Sequence, residues 1–316
     1  MNLEKINSLV RDYIKDVEPN EGDFDFINSI IGIVLSTPVK VKRQSYKCYY
    51  DIEDSIRDVV SFYKTLDSFY IERLHNLINS GEMRLYELSR RDRNNYVATS
   101  TILEDGKSDI FLPFNNTIED SFTINHEVLH DTNASLKLTV TRFLFTEAIS
   151  ILGEMLEEDF YKKRLFQPEE YEKNGIDTLY AVLSKSISLH IQIALVRLMQ
   201  KYGEITKRNL SELEILKCYK KELNSFLKYY SRCEELPFDQ DQRHVMGYVF
   251  ASHMHGSGNG KEYLLEINPV LNEAEFDDVL DSIGISTTYK DGYDLTSESK
   301  KVLLKSYRKE VSRWIK

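Results

Sequence analysis

The chain has 316 residues, with 41 Lys and Arg against 51 Asp and Glu and a formal charge of −10. Phosphate binding needs clustered Lys and Arg, so this balance argues against nucleic acid and against anionic membranes as partners. Hydrophobic residues at 41%, with 20 Tyr and 15 Phe, suffice for a sizeable core and exclude a disordered chain.

The first residues, MNLEKINSLVRDYIKDVEP, read as an amphipathic helix without the basic start, apolar stretch and cleavage site of a signal peptide. Asp23 to Leu35 is apolar at helical spacing and stops before Pro38. Its run Ile27 to Val34 is the longest apolar stretch, short of the roughly 20 residues of a membrane span. Asp51 to Ile78 is one long helical pattern, with Ile56, Val59, Val60, Tyr63 and Leu66 on one side and Asn79-Ser80-Gly81 ending it. Three short strands follow: Met83 to Leu88, Tyr96 to Leu103 and Asp109 to Phe114. The turn-rich segments Arg90 to Asn95 and Glu104 to Ser108 separate them. Consecutive strands so spaced predict a small antiparallel meander, and Pro113 predicts that the third strand is an edge.

Helices then return at Ile118 to Leu129, Val140 to Phe166, Asp177 to Tyr202, Leu210 to Tyr230, Gln242 to Met254 and Ser297 to Ile315, with a glycine-rich turn at Gly256 to Gly260. The expected fold is mainly α with one small antiparallel sheet. The expected organisation is a helical segment over 1–80 that forms part of a cleft wall, and one compact unit over 81–316. Cys48, Cys218 and Cys233 are odd in number, far apart and free of CxxC spacing, which predicts reduced thiols in a cytoplasmic protein.

The chemistry concentrates at Thr123-Ile124-Asn125-His126-Glu127-Val128-Leu129-His130, which contains HExxH. On a helix, positions i and i+4 share a face one turn apart, so His126 and His130 can hold one Zn²⁺ per chain. Glu127 stands between them, placed to take a proton from a water without itself binding the metal. The plainer alternative is two surface histidines on an acidic helix.

A catalytic zinc site needs a third protein ligand. Glu147 is the only acidic residue between Asp131 and Glu154, and its neighbours Phe143-Leu144-Phe145-Thr146 and Ala148-Ile149 are mostly apolar. A carboxylate on a buried face needs a partner, and that partner is either a metal or Arg142 or a lysine. Ser150 and Glu154 lie along the same helix, where they are candidates to orient a histidine ligand. Glu154 equally opens a solvated acidic run with Glu157, Glu158 and Asp159.

From about residue 83 onward, the order of features resembles the catalytic part of the thimet oligopeptidase and oligopeptidase F family of zinc peptidases. Ile110-Phe111-Leu112-Pro113-Phe114-Asn115-Asn116-Thr117 is similar to the family's strand and turn before its active-site helix. Ile118 to Asn125 is similar to the lead-in, and Glu147, Ser150 and Glu154 keep the family's Glu-x-x-Ser-x-x-x-Glu spacing. The resemblance implies a zincin-like, gluzincin catalytic domain, with His126, His130 and Glu147 as ligands and Glu127 as base. Arg243-His244-Val245-Met246-Gly247-Tyr248 resembles loosely the family's oxyanion-stabilising segment, which implies Tyr248, or else His244, as the donor. Two departures are Leu129, where the family usually has Gly, and a chain about half the usual length.

The sequence therefore leads to the expectation of a metalloendopeptidase or oligopeptidase acting on peptides. Ile110, Phe111, Leu112 and Pro113 line the cleft in this reading, and a partner protein is a candidate to complete its wall. Two alternatives stay open: a metal-stabilised binding protein without turnover, and a zinc amidase on a non-peptide substrate. His75 and His190 lie on helical patterns and read as structural. His253 and His255 flank Met254 before the glycine-rich turn and read as part of an exposed loop.

Overall fold

The computed structural model describes residues 2–17, 21–36, 49–88, 98–103, 107–133, 140–163, 168–213, 215–270, 276–286 and 295–314. Along the chain these form α1 (Leu3–Val17), α2 (Glu21–Leu35), α3 (Ile52–Tyr63), α4 (Ser68–Ser80), β1 (Met83–Glu87), β2 (Thr99–Ile102) and β3 (Ser108–Phe114). Helices alone follow: α5 (Glu119–Asn133), α6 (Val140–Lys162), α7 (Pro168–Tyr202), α8 (Lys207–Ser211), α9 (Ile215–Tyr230), α10 (Phe238–Gly256), α11 (Gly260–Val270), α12 (Phe276–Ser282) and α13 (Ser297–Arg313). The fold is mainly helical with one small sheet, as the periodicity predicts.

The long pattern from Asp51 to Ile78 is two helices. Asp67 interrupts it by accepting a hydrogen bond from the Phe69 N–H at 2.8 Å, which caps α4 and ends the run that began in α3. Gly81 closes α4 in the left-handed conformation, at φ 76°. Helices α11 and α12 lie in a stretch where the pattern predicts none. Helix α7 starts well before Asp177 and is long and apolar enough to cross a membrane by composition, with 56% of its most apolar stretch buried inside the protein.

The sheet corrects the expected topology. Its strand order is β1-β3-β2, so β3 is central rather than an edge, and it runs parallel to β1 and antiparallel to β2. Hydrogen bonds explain how Pro113 is tolerated there. Ile110 N–H donates to the Glu82 carbonyl and Leu88 N–H donates to the Phe114 carbonyl, so the even residues of β3 bond toward β1. The odd residues face β2, whose ladder ends at the pair Thr99–Phe111. Pro113 lies two residues beyond Phe111, where a missing N–H costs no described ladder bond. Part of Tyr96 to Leu103, and most of both turn-rich segments, lie outside the described residues.

The chain divides into two compact units: Met1–Val39 with Ala181–Val245, and Lys40–Tyr180 with Met246–Lys316. The three cuts follow Val39, Tyr180 and Val245, so α7 and α10 each contribute to both units. In the first unit Asn7 binds the backbone of Ile205 through both ends of its amide, at 2.9 and 2.8 Å, and Tyr13 packs on Phe238. The second unit contains the sheet, α3 to α6 and α11 to α13, and it holds the HExxH segment.

Candidate metal centre

Helix α5 carries both histidines and is fixed at three points. At its start, the Asp120 carboxylate accepts from the backbone N–H of Asn115 at 3.0 Å and of Thr117 at 2.9 Å, holding the tight turn after β3 in which Asn116 adopts φ 58°. Immediately before His126, Asn125 donates to the buried Glu157 of α6 at 2.9 Å. Burial pushes the Glu157 carboxyl well above its ordinary range. Immediately after His130, Asp131 is gripped by Arg73 of α4 through Nε at 2.5 Å and Nη2 at 2.8 Å, and Ser108 of β3 also donates to it. The apolar face, including Phe122, Ile124, Val128 and Leu129, is buried.

Helix α6 crosses α5 closely because Gly153 faces it. A Cβ at Gly153 would lie 2.1 Å from Leu129 Cδ1. The bulk of Leu129 is thus accommodated by a glycine on the facing helix. This crossing brings Glu147 to the histidines. Gly247 of α10 backs it, where an added Cβ would stand 2.8 Å from Glu147 Cβ and Cγ.

His126, His130 and Glu147 offer three ligand atoms that lie within 4.8 Å of one another, a group that could hold a metal ion. His126 Nε2 is 3.5 Å from Glu147 Oε1, and His130 Nε2 is 3.3 Å from Glu147 Oε2. Ligand atoms bound about 2.0–2.1 Å from a tetrahedral ion stand roughly 3.3–3.4 Å apart, and each of these two histidine–carboxylate separations is close to that value. The two imidazoles meet edge to face with centroids 4.6 Å apart, and both present Nε2.

The other nitrogen of His126, Nδ1, is 2.6 Å from Glu154 Oε1. A ligand histidine whose second nitrogen is held by a carboxylate has its ring orientation and tautomer fixed. Burial pulls the His126 imidazolium down, but the Glu154 hydrogen bond and the carboxylates of Glu147, Glu154 and Glu127 outweigh it and hold its pKa at about 9. Glu127 is buried on the same turn of α5. Ser150 is fully buried, and its hydroxyl has no hydrogen-bond partner among the described residues.

The remaining sequence candidates sit elsewhere. Tyr248 is 1% exposed, packs edge-on against Tyr307 and borders a crevice with Glu154, Glu158 and Trp314, a position that gives no support to a role as oxyanion donor. His244 belongs to the first unit and donates from Nδ1 to the Gln240 carbonyl on its own helix. His253 and His255 are not in a loop: they lie in the last turns of α10, pinned to Ile283 and Ser306 and to Asp159 respectively. Of the expected cleft-lining strand, Ile110 and Leu112 are fully buried core residues, and Phe111 pairs with Tyr86.

Sequence reasoning missed the Arg73–Asp131–Ser108 clamp, the Asn125–Glu157 bond and the residues of α7 behind Glu154. Asp131 and Asn125 each flank a histidine, which is a signal of position, whereas their partners are 23 to 58 residues away with nothing local to mark them.

No protein-family model matches the chain. The search of curated proteins likewise gives no match. Among solved structures, the fold is similar to the crystal structure of a putative peptidase from Chlamydophila abortus, with a TM-score of 0.54 and 16% sequence identity. The similarity covers 98% of this chain and 56% of that one, so the chain spans little more than half the length of its structural neighbour.

Proposed function

We propose that the chain is a zinc-dependent peptidase of the gluzincin type. The observation that carries this reading is the convergence of His126, His130 and the Glu147 carboxylate, whose ligand atoms lie within 4.8 Å of one another, with Glu127 on the intervening turn. The peptidase-like fold of the structural neighbour supports it.

His126, His130 and Glu147 would hold the ion, contributing two neutral imidazoles and one carboxylate. When bound, zinc supplies a Lewis acid that polarises a carbonyl and acidifies water. Glu127 accepts a proton from the attacking water and returns it to the leaving amine. Glu154 keeps His126 in the tautomer whose Nε2 lone pair faces the site. An extended peptide adding to the sheet would use β2 rather than the central β3, because β2 is the edge strand on which α5 packs.

The test is a mass-spectrometric digest of mixed unstructured peptides by the zinc-loaded parent and by Glu127→Gln. The parent should cleave. The variant should keep its zinc and lose cleavage by about a thousandfold or more, since an amide cannot take the water's proton. Equal cleavage by both proteins, or a zinc-loaded parent that cleaves nothing, would contradict the reading.

A further inference from the structure

The two nitrogens of His126 have separate tasks, Nε2 toward Glu147 and Nδ1 toward Glu154 Oε1 at 2.6 Å. Glu154 can orient the ring only if its own flexible side chain is fixed. Its second oxygen, Oε2, accepts from Asn174 Nδ2 at 3.1 Å and from Thr178 Oγ1 at 3.3 Å. These donors stand four residues apart on one face of α7. Asn174 is 7% exposed, so water competes little for its amide.

The approach of α7 to this point is built into the sequence. Gly175 lies between the two donors, and a Cβ there would be 2.4 Å from Glu158 Oε2 and 2.5 Å from Trp314 Cζ2. A larger residue there would have to displace the Glu158 carboxylate and the Trp314 ring. Both donors are neutral, so they fix the Glu154 carboxylate without offering it a competing charge, and its one described charged partner is the imidazole.

From this arrangement we infer that Asn174 and Thr178 are positioning residues of the metal centre, locking Glu154 so that His126 meets the metal through Nε2. The inference rests on the metallopeptidase reading and extends it to a helix that touches no ligand directly. Metal affinity is the property it governs, because a histidine free to rotate or change tautomer gives up part of its binding free energy to ordering.

The experiment is chelator competition with zinc, paired with the visible spectrum of the Co²⁺-substituted protein. It compares the parent, Asn174→Ala/Thr178→Val, Thr178→Ser, Glu154→Gln and the triple combination. The double variant should bind zinc about tenfold more weakly and shift the Co²⁺ bands, while Thr178→Ser, which keeps the hydroxyl, should match the parent. In the Glu154→Gln background the two α7 substitutions should cost no further affinity, since their effect runs through that carboxylate. A double variant with parental affinity and spectrum, or losses that simply add to that of Glu154→Gln, would overturn the inference whatever happens to thermal stability. A parent that binds no zinc would overturn the metallopeptidase reading and the inference with it.

Discussion

Glu147 is the candidate ligand with the least freedom. It is 1% exposed, and Gly247 leaves no space behind its Cβ and Cγ. Gly247→Ala would put a methyl group 2.8 Å from those carbons and 3.1 Å from the Ala148 nitrogen, both tighter than ordinary contact. The helix backbone cannot yield easily, so the carboxylate must move off its position opposite the histidines. The expected outcome is a loss of stability of about 1–3 kcal/mol with weakened zinc binding, read by denaturant unfolding and by chelator competition. Parental zinc affinity in this variant would show that Glu147 is not held by that contact. Among single residues, the histidine pair is legible in the sequence because an i, i+4 relation is written in the spacing. Glu147 is legible as a lone acidic residue in an apolar stretch. Asn174 and Thr178 are not, because an amide and a hydroxyl on a long helix carry no local signal, and only the packing of α7 on α6 gives them a task.

Helix crossing explains how a leucine is accommodated immediately before His130. Leu129 and Gly153 form a complementary pair, bulk on α5 and its absence on α6. Gly153→Ala alone should destabilise the protein by about 1–3 kcal/mol, since the added methyl would overlap Leu129 Cδ1. Leu129→Ala alone should cost about 2–5 kcal/mol through the cavity it leaves. Together they should cost clearly less than the sum, a coupling that urea unfolding of the four proteins would measure. Strict additivity would mean that the two residues do not fill one space. The sheet shows the converse limit of sequence reasoning. The three strands are legible from their alternating patterns. Their pairing is not, because strands in succession read as hairpins, yet β1 bonds to β3 rather than to β2. Pro113 does carry information, but about where one ladder stops rather than about the whole strand.

Across the second unit, a group of charges joins α6 to the end of α10 and to α13. Glu158 pairs with Lys162 and Arg313, Asp159 with His255 and Arg313, and Arg313 with Glu310. Burial pushes the Glu158 carboxyl up to about 7, against the opposing pull of Lys162 and Arg313. For Asp159, burial is outweighed by His255 and Arg313, which hold it down at about 2. The signs follow from linkage. Glu158 binds its proton more tightly folded than unfolded, so its contribution is full below the unfolded pKa and is lost as pH rises through about 7. Asp159 contributes above its unfolded pKa, and that contribution is lost as pH falls toward about 2. Stability of the metal-free protein should therefore decline between about pH 5 and pH 8 by up to roughly 3 kcal/mol from Glu158, on the order of 1.4 kcal/mol for each tenfold difference in proton affinity between the folded and unfolded chain. Glu158→Gln should flatten that decline in urea titrations, and an unchanged slope would remove Glu158 as its source. For the molecule as a whole, the mainly α character is legible from helical periodicity. The division into two units that alternate along the chain is not, because α7 and α10 run through the boundaries without a linker or a change of composition.

Calorimetric titration of zinc into the metal-free parent and into Glu147→Ala, near pH 8, tests most directly whether three side chains from two helices make one zinc site. The parent should take up one equivalent tightly and release protons as the metal displaces the one held by His126. Glu147→Ala, left with two imidazoles, should bind at least roughly tenfold more weakly. Saturation of both proteins with equal affinity, or no saturable uptake by the parent, would contradict a site built from His126, His130 and Glu147.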